Sequence, residues 1–526
     1  MLFTSYSFIA FLAVLLVLYY LVPRRFQAPL LLAASCVFYL FAGPLFLIYI
    51  AVTTVTVYFA GLRIGDGLKA QSAYIKEHKA DLSPEEKKAY RDSAKRVRTR
   101  WLVLALVINL GILAAVKYLN FAISNINGIL SLFSSARLDF LSIALPLGIS
   151  YYTLQSIGYL MDVYRGAYEP ERKLWRFALF ISFFPQLIQG PISRYSDLSP
   201  TLYAEHPFDM NSLLRGLERV LWGFFKKLVI ADRIFIAVGE IIGDPAAYRG
   251  GFILLGMFLY TVELYADFTG GIDITIGVAQ MLGIELRENF NRPYFSTSLK
   301  EYWRRWHISM CSWFRDYLFY PVSTSRWMSR FKKWNVSRFG QKVGKRIPVY
   351  AASFIVWFST GLWHGASWNF IFWGLLNWAV LMISEELEPL YDRFHKAVPF
   401  SQSFGYKIFM MVRTFCLVAV MNLFDCYALL SDTLSCLGSI FIPSAWQGFS
   451  LGVLGLGAAD YIVIIAGCAL MLLVSILSVK GDVREQIAKK PYAVRFGLYF
   501  GLFIIILLMG VYGIGYDSGQ FIYNRF

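Results

Sequence analysis

The sequence predicts an all-α, polytopic integral membrane protein. Of its 526 residues, 57% are hydrophobic and only 16% are charged, and the mean hydropathy is +0.53. A water-soluble protein with a polar surface rarely has so apolar a composition. Apolar runs approaching the length that crosses a bilayer, about 20 residues, recur along the chain. Together these observations predict a bundle of membrane-crossing helices.

The apolar runs lie at 6–22, 30–41, 45–62, 101–121, 144–160, 175–187, 214–242, 252–282, 348–358, 368–383, 408–423, 451–478 and 496–512. The shorter runs cannot cross alone, so they predict re-entrant or interfacial helices. No long linker or internal repeat divides the chain. We therefore expect one membrane domain over 1–526, with N-terminal spans in 1–121, a motif-bearing core at about 145–380 and C-terminal spans in 405–515.

The basic residues predict the orientation of these spans. Positive residues cluster at 69–100, 326–346 and 480–490, and they supply much of the net charge of +16. We expect these three segments to be loops, and the positive-inside rule makes them cytoplasmic, with the N-terminus outside. The first run lacks the flanks of a cleaved signal peptide, so we expect it to remain as a span. A multi-pass protein of the plasma or inner membrane explains the charge without a nucleic-acid partner.

Several classes of chemistry lack their sequence signals. The six cysteines show no Cys-x-x-Cys spacing, so neither a metal site nor a disulfide framework is predicted. No Walker-type phosphate loop and no Gly-x-Ser-x-Gly elbow occurs, which argues against ATP-driven work and a serine nucleophile. We therefore predict no metal and no bound cofactor.

The segment 298–320 predicts an amphipathic helix. It begins with Ser298 and Glu301 at the spacing of a capping box. Its expected buried face consists of Trp303, His307, Met310 and Phe314. A helix of this kind fits the inner membrane interface, with His307 pointing inward either as a structural residue or as a reactive one. Cys311, one turn further on, is read as a buried thiol in preference to a nucleophile.

His364 has the most unusual surroundings in the sequence. It is the only Lys, Arg, Asp, Glu or His residue in the 38 positions between Arg346 and Glu385. An ionisable side chain is costly in an apolar segment and usually has a function there. A neutral imidazole would also serve as a general base. Gly361 and Gly365 beside it indicate close helix packing.

Other polar residues interrupt apolar runs. Glu263, Asp267 and Asp273 lie within 252–282, where carboxylates need partners. We expect Arg292, Arg304 or Arg305 to pair with them, and a cation-coupling site is the alternative. Gln189 precedes Gly190 and Pro191, a combination that breaks a helix and predicts a cavity wall.

Five blocks in order resemble the signature motifs of the membrane-bound O-acyltransferase family. They are Leu-Pro-Leu-Gly-Ile-Ser-Tyr-Tyr-Thr at 145–153, Phe-Pro-Gln-Leu-Ile-Gln-Gly-Pro at 184–191, Tyr-Ala-Asp-Phe-Thr-Gly at 265–270, Glu-Tyr-Trp-Arg-Arg-Trp-His-Ile-Ser at 301–309 and Thr-Gly-Leu-Trp-His-Gly-Ala at 360–366. The third block, the paired arginines of the fourth and the ending at 521–526 resemble the branch that acetylates alginate and other exopolysaccharides.

The resemblance implies a helical shell around a transmembrane tunnel. An acyl thioester, acetyl-CoA or a similar donor, would approach from the cytoplasm. The acyl group would pass to a polysaccharide hydroxyl outside the cytoplasm, or to an SGNH-type partner acetyltransferase there. It implies His364 and His307 as catalytic residues. The resemblance also implies substrate contacts or tunnel walls formed by Trp306, Arg305, Ser309, Asp267 and Gln189.

Three alternatives remain open at the level of the sequence. D-alanyl transfer to teichoic acid would use the same motifs with another acyl group. An ion- or proton-coupled transporter would use Asp267, Asp273 and His364 along a pathway. A scaffold that recruits a soluble acyltransferase would perform no chemistry of its own.

Overall fold

The computed structural model describes residues 2–513, which group into two compact units. The first unit comprises the chain up to Leu213 together with Ala279–Arg287, and the second comprises Leu214–Val278 and the chain from Glu288 onward. Residues 514–526, which include the last two positions of the predicted C-terminal spans and the ending at 521–526, lie outside the described residues. The single domain expected over 1–526 stays a prediction.

The first unit is built from seven helices among its described residues. They are α1 (Tyr6–Leu21), α2 (Gln27–Leu40), α3 (Phe46–Glu77), α4 (Pro84–Leu130), α5 (Ile149–Arg165), α6 (Leu174–Ser182) and α7 (Tyr195–Leu202). Helix α5 is the buried centre of this unit, since twelve of its 17 residues are buried.

Two of the five sequence blocks meet beside α5. Gly148 caps this helix in a left-handed conformation, with φ of 71°, and a Cβ there would lie 2.3 Å from the carbonyl oxygen of Leu187. Tyr151 in the first turn approaches Gly190 in the same way. The block at 145–153 therefore packs directly on the block at 184–191, and only glycine at position 148 permits this approach.

The second unit contains the remaining helices of the described chain, except for the first four residues of α8 and the last three of α10, which belong to the first unit. They are α8 (Met210–Phe224), α9 (Asp232–Gly243), α10 (Gly251–Met281), α11 (Leu299–Arg305), α12 (Ile308–Phe314), α13 (Tyr320–Ser323), α14 (Arg326–His364), α15 (Trp368–Ala397), α16 (Phe404–Asn422), α17 (Leu430–Ser439), α18 (Ala458–Leu477), α19 (Val483–Ala488) and α20 (Tyr492–Met509). A π-helical turn over Phe225–Ala231 joins α8 to α9.

Glycines let α8 approach α10 at backbone distance. A Cβ on Gly223 would lie 2.6 Å from the carbonyl oxygen of Gly270, and one on Gly277 would lie 2.7 Å from that of Gly216. Small residues at such a crossing are typical of packed membrane helices. The close approach places the π-helical turn after α8 against the carboxylates of α10.

The predicted fold class is confirmed: residues 2–513 are helical without a β-strand, and this is an all-α multi-pass membrane protein. Seven helical segments among the described residues are long and apolar enough to cross a membrane. They are Phe46–Glu77, Pro84–Leu130, Gly251–Met281, Trp368–Ala397, Phe404–Asp425, Ala458–Lys480 and Tyr492–Met509, with Tyr6–Leu21 as a shorter apolar helix.

Two basic segments expected as loops are largely helical. Within 69–100 only a short turn separates α3 from α4, and the capping box of Ser83 with Glu86 starts α4. The segment 326–346 forms the first half of α14, which is interrupted at Gly340, where φ is 75°. Long charged helices remain stable outside an apolar environment because their side chains are solvated. The cytoplasmic assignment of these segments stays a prediction.

Candidate active site

Both motif histidines contact one tryptophan within the second unit. The ring centroids of His307 and Trp363 are 6.0 Å apart, and those of Trp363 and His364 are 5.2 Å apart. The two imidazoles also interact electrostatically with each other. Residues that lie 57 positions apart in the sequence are thus brought into one site.

His307 stands at a break in the chain. It adopts φ of 46° and ψ of 53° between α11 and α12, a left-handed conformation that costs a non-glycine residue about 1–2 kcal/mol. The continuous helix predicted over 298–320 is therefore wrong. The predicted apolar face is nevertheless buried: Trp303, His307, Met310 and Phe314 are each at most 9% exposed.

Asn289 and its neighbours explain the break. The N–H of Ile308 donates to the backbone oxygen of Asn289 at 2.9 Å, and the N–H of Ser309 donates to Asn289 Oδ1 at 2.9 Å. The N–H of Asn291 donates to the carbonyl oxygen of Arg305 at 2.8 Å. These bonds pair backbone groups that a helix end leaves without partners, so the chain can turn at His307.

The His307 imidazole is enclosed. It has no exposed surface, and its ring meets Phe268 edge to face at 4.9 Å. His307 lies outside the candidate spans; burial lowers the pKa of its imidazole well below the ordinary value, and the interaction with His364 lowers this pKa further. Desolvation disfavours the imidazolium form, so His307 is neutral at pH 7.

His364 is the last residue of α14, at the tip of the hairpin that α14 forms with α15. Its ring centroid lies 4.7 Å from that of Trp373 and 6.3 Å from that of Phe370, with the latter planes 16° apart. A Cβ on Gly361 would lie 2.3 Å from the carbonyl oxygen of Phe370. A Cβ on Gly365 would lie 2.1 Å from the Phe370 ring. The close packing predicted for these glycines is confirmed, and it fixes the position of His364.

Trp306 belongs to an aromatic cluster. It is 4% exposed, and its ring lies 5.0 Å from Phe290 and 5.5 Å from Tyr302 in a stacked geometry. Arg305 donates to Glu301 at 2.5 Å and is partly exposed. These contacts give Trp306 and Arg305 structural partners. The substrate contacts expected for Trp306, Arg305 and Ser309 stay predictions.

The carboxylates of α10 have partners other than those expected. Asp267 forms an ion pair with Lys227, whose ammonium group also lies 2.7 Å from Asp232. All three side chains are at most 3% exposed. For Asp267 and Asp273 the expected pairing with Arg292, Arg304 or Arg305 is wrong. Those arginines follow α10 in the sequence, whereas the glycine crossing of α8 and α10 brings in lysines that precede it.

Asp273 is the second ion-paired carboxylate of α10. It lies 2.6 Å from the ammonium group of Lys226 and 2.9 Å from the guanidinium of Arg219. Arg219 also binds Glu288 through two hydrogen bonds of 2.6 Å. A carboxylate that is 15% exposed and held by a lysine and an arginine fits a structural network, the role expected for these carboxylates.

Gln189 belongs to the first unit, whereas both motif histidines belong to the second. Its side chain is completely buried, and neither amide atom has a hydrogen-bond partner among the described residues. Buried amides in proteins are normally satisfied, so this one is a candidate for contact with a bound molecule. Its role stays a prediction.

A cavity of about 810 Å³ lies inside the second unit. Its lining includes apolar residues such as Leu470 of α18 and Leu502 of α20, and polar residues such as Lys226. Ile308, the residue after His307, and Arg484 of the basic segment 480–490 also line it. The cavity is therefore bordered both by a basic segment and by the residue next to His307.

Cys311 does not have the properties of a nucleophile. Burial raises the pKa of its thiol to about 12, and its Sγ lies 3.6 Å from the carbonyl oxygen of Trp306. A reactive cysteine requires a lowered pKa, so the raised pKa argues against a nucleophile at Cys311, a residue that is partly exposed.

Sequence reasoning missed three parts of this site. Asn289 was passed over although it opens the run Asn-Phe-Asn-Arg-Pro at 289–293. Trp363 was read only as part of a motif. The adjacent Lys226 and Lys227, two charges inside an apolar run, were a signal of the same kind as His364 and could have been recognised.

The chain is similar in sequence to known proteins of one family. The profile of the MBOAT, membrane-bound O-acyltransferase family matches residues 172–336. The probable alginate O-acetylase AlgI of Azotobacter vinelandii is 37% identical over 391 residues, which cover 74% of this chain and 69% of that protein.

Two further relatives mark the range of similarity. The probable alginate O-acetylase AlgI of Pseudomonas aeruginosa is 36% identical over 389 residues, 74% of this chain and 66% of that protein. The teichoic acid D-alanyltransferase of Bacillus subtilis is 32% identical over 291 residues, 52% of this chain and 70% of that protein. The chain thus spans about two thirds of the length of the alginate relatives.

Proposed function

Because this chain belongs to the membrane-bound O-acyltransferase family, in the branch of the alginate O-acetylases, we propose that it moves an acetyl group from a cytoplasmic thioester toward a hydroxyl outside the cytoplasm. The acceptor is a polysaccharide, reached directly or through an SGNH-type partner acetyltransferase. The chain is an O-acyltransferase, and the proposal concerns its donor, its acceptor and its site.

The observation that carries the proposal is the meeting of two histidines in one unit. His307 is buried and neutral, and His364 shares the ring of Trp363 with it. Acyl transfer to a hydroxyl needs a base for the hydroxyl proton and a group that responds to the charge on the carbonyl oxygen. Two imidazoles within one aromatic enclosure supply these two functions.

In the proposed reaction His364 accepts the proton of the acceptor hydroxyl while that oxygen attacks the thioester carbonyl. The tetrahedral intermediate then collapses, its carbon–sulfur bond breaks, and the imidazolium returns the proton to the departing thiolate. The products are an O-acetyl ester and a free thiol, so protons and electrons balance. His307 serves as a donor to the oxyanion or as a second proton acceptor.

The cavity of the second unit supports a cytoplasmic route for the donor. Its mixed apolar and polar walls suit the uncharged, amide-bearing arm of a pantetheine thioester. Its lining includes Arg484 and Ile308, so a bound donor could have its phosphates near basic residues and its thioester near His307. Lysines at 480, 489 and 490 lie close to Arg484 in the sequence and would attract an anionic donor.

The test uses purified protein in nanodiscs with acetyl-labelled CoA and chemically deacetylated alginate. The proposal expects release of free CoA thiol and label on the polysaccharide, both abolished by His364→Gln. If transfer needs a partner, adding the polysaccharide will increase the release of CoA thiol only when a soluble SGNH-type acetyltransferase is also present. A protein that never consumes the thioester, or consumes it equally with His364→Gln, contradicts the proposal.

A D-alanyl thioester, presented on a carrier protein, runs beside acetyl-CoA in the same assay. The alginate relatives match 74% of this chain, and the D-alanyltransferase matches 52%, so we expect acetyl transfer to dominate. Exclusive use of the D-alanyl donor would replace the acetyl assignment while keeping the histidine site.

A further inference from the structure

The two roles left open for His307 differ in which ring nitrogen carries the proton. We propose that Asn289 is a positioning residue that holds His307 in the tautomer protonated at Nδ1. His307 then offers the lone pair of Nε2, so it acts as a proton acceptor and cannot donate from Nε2 to an oxyanion. This inference rests on the proposed acyl transfer for its kinetic consequences, whereas the tautomer itself can be observed independently.

The first step of the argument is the orientation of the Asn289 amide. Asn289 has no exposed surface. Its Oδ1 accepts the backbone N–H of Ser309 at 2.9 Å, and a backbone N–H is always a donor. Rotating the amide by 180° would bring its NH₂ group against that N–H, donor against donor. The contact with Ser309 therefore identifies the oxygen of this side chain without reference to the histidine.

The second step follows from the position of the imidazole. Nδ1 of His307 lies 3.3 Å from the same Oδ1. An amide oxygen only accepts hydrogen bonds, so the nitrogen that faces it must be the one that carries hydrogen. A neutral imidazole has a single N–H, and burial keeps His307 neutral. Its remaining nitrogen, Nε2, therefore holds the lone pair.

The third step is that the backbone keeps these groups in register. Ile308 N–H donates to the backbone oxygen of Asn289 at 2.9 Å, so the residue after His307 is fixed to the same asparagine. His307 is held in its left-handed conformation by these bonds on its C-terminal side. Asn289 thus sets both the orientation of the His307 ring and the position of its proton. The hydrogen bond made by one ring nitrogen commonly determines which nitrogen of a reactive histidine carries the proton.

The direct test is a nitrogen NMR spectrum of ¹⁵N-histidine-labelled protein in detergent at neutral pH. The chain has five histidines, and a His307→Gln sample identifies the signals of His307. We expect a protonated Nδ1 and an unprotonated Nε2. A His307 protonated at Nε2 overturns the inference and leaves the proposed acyl transfer standing.

Substitutions at Asn289 test the kinetic consequence. Asn289→Asp keeps an acceptor for both N–H groups but adds a negative charge, which raises the pKa of His307. Its acid limb in kcat/KM should move to higher pH by one unit or more, with activity recovered above that limb. Asn289→Ala removes the acceptor, and kcat should fall about tenfold or more at every pH with little change in the KM for the donor.

Asn335→Asp is the matched control. Asn335 is also buried and donates to the Phe331 carbonyl within α14, away from both histidines in the sequence. This variant should leave the pH profile in place. If Asn289→Asp and Asn289→Ala lower activity equally with no pH shift, Asn289 has only a structural role and the inference is wrong. Should both variants fail to fold, the spectrum of the unaltered protein decides.

Discussion

The two histidines occupy regions that are stabilised in different ways. The His307 region consists of the break between α11 and α12, the segment 289–291 and the ion-paired face of α10, and it combines hydrogen bonds and ion pairs with ring contacts of His307. The His364 region is the tip of the α14–α15 hairpin, where glycines and aromatic rings make the contacts.

This difference indicates separate tasks. A hydrogen-bonded, fully enclosed imidazole has a fixed proton and a fixed direction. His364 lies at a helix end and is partly exposed, whereas His307 has no exposed surface. We therefore expect chemistry to depend most on His364, and the electrostatic environment to depend most on the His307 region.

The largest expected effect concerns the base. His364→Gln retains a polar side chain of similar size but removes the basic nitrogen. We expect acyl transfer to fall by about 10²–10⁴-fold, the usual contribution of a positioned general base, with unchanged yield and thermal stability of the protein. Initial rates with labelled acetyl-CoA measure this. If the rate falls less than threefold, the assignment of the two regions is wrong.

Lys227→Met tests the buried ion pairs of the His307 region. This variant leaves the carboxylates of Asp267 and Asp232 buried together without their cation. Breaking a buried ion pair in this way costs about 3–5 kcal/mol, so we expect a large loss of thermal stability in detergent. Lys342→Met, at an exposed lysine, is the control. An unchanged melting temperature would mean that this network does not support the His307 region.

Gly361→Ala tests the close packing of α14 on α15 in the His364 region. A methyl group there would lie 2.3 Å from the Phe370 carbonyl oxygen, so α14 and α15 must separate, at a cost of about 1–3 kcal/mol. We expect lower stability and a lower kcat, because His364 moves with the hairpin. Gly438→Ala in α17, where a methyl group meets nothing within 4 Å, should have neither effect.

The smallest effect is expected in the cavity. Gly501 of α20 lines it, and a Cβ there meets nothing within 4 Å. Gly501→Leu should therefore fold normally and fill part of the space, raising the KM for the thioester about tenfold (about 1.4 kcal/mol) with little change in kcat. Gly111→Leu in α4, equally open, is the control. An unchanged KM for the thioester would show that the donor does not bind in this cavity.

Much of the fold could be predicted from composition and apolar runs. The runs that begin near residues 45, 101, 252, 368 and 408 all appear as helices, because burying a backbone in lipid leaves few alternatives to a helix. The motif glycines at 361 and 365 also predicted close packing correctly, because a glycine allows the neighbouring helix to approach at that same position.

The contacts of the site were harder to predict because they depend on distant residues. The helix pattern at 298–320 contains no signal for a break, since the acceptors that stabilise it belong to Asn289. The partners of Asp267 and Asp273 come from the turn after α8, which only the glycine crossing places beside α10. His307 and His364, by contrast, could be recognised from their motifs alone.

The most direct test of the central claim uses sealed proteoliposomes with acetyl-labelled CoA on one side and the acceptor, with any soluble partner, on the other. We expect label on the acceptor across the membrane from the donor. We also expect His364→Gln, reconstituted to the same level, to lower this label by about 10²–10⁴-fold. Label that stays on the donor side, or transfer that persists at its original level without the His364 imidazole, would contradict this claim.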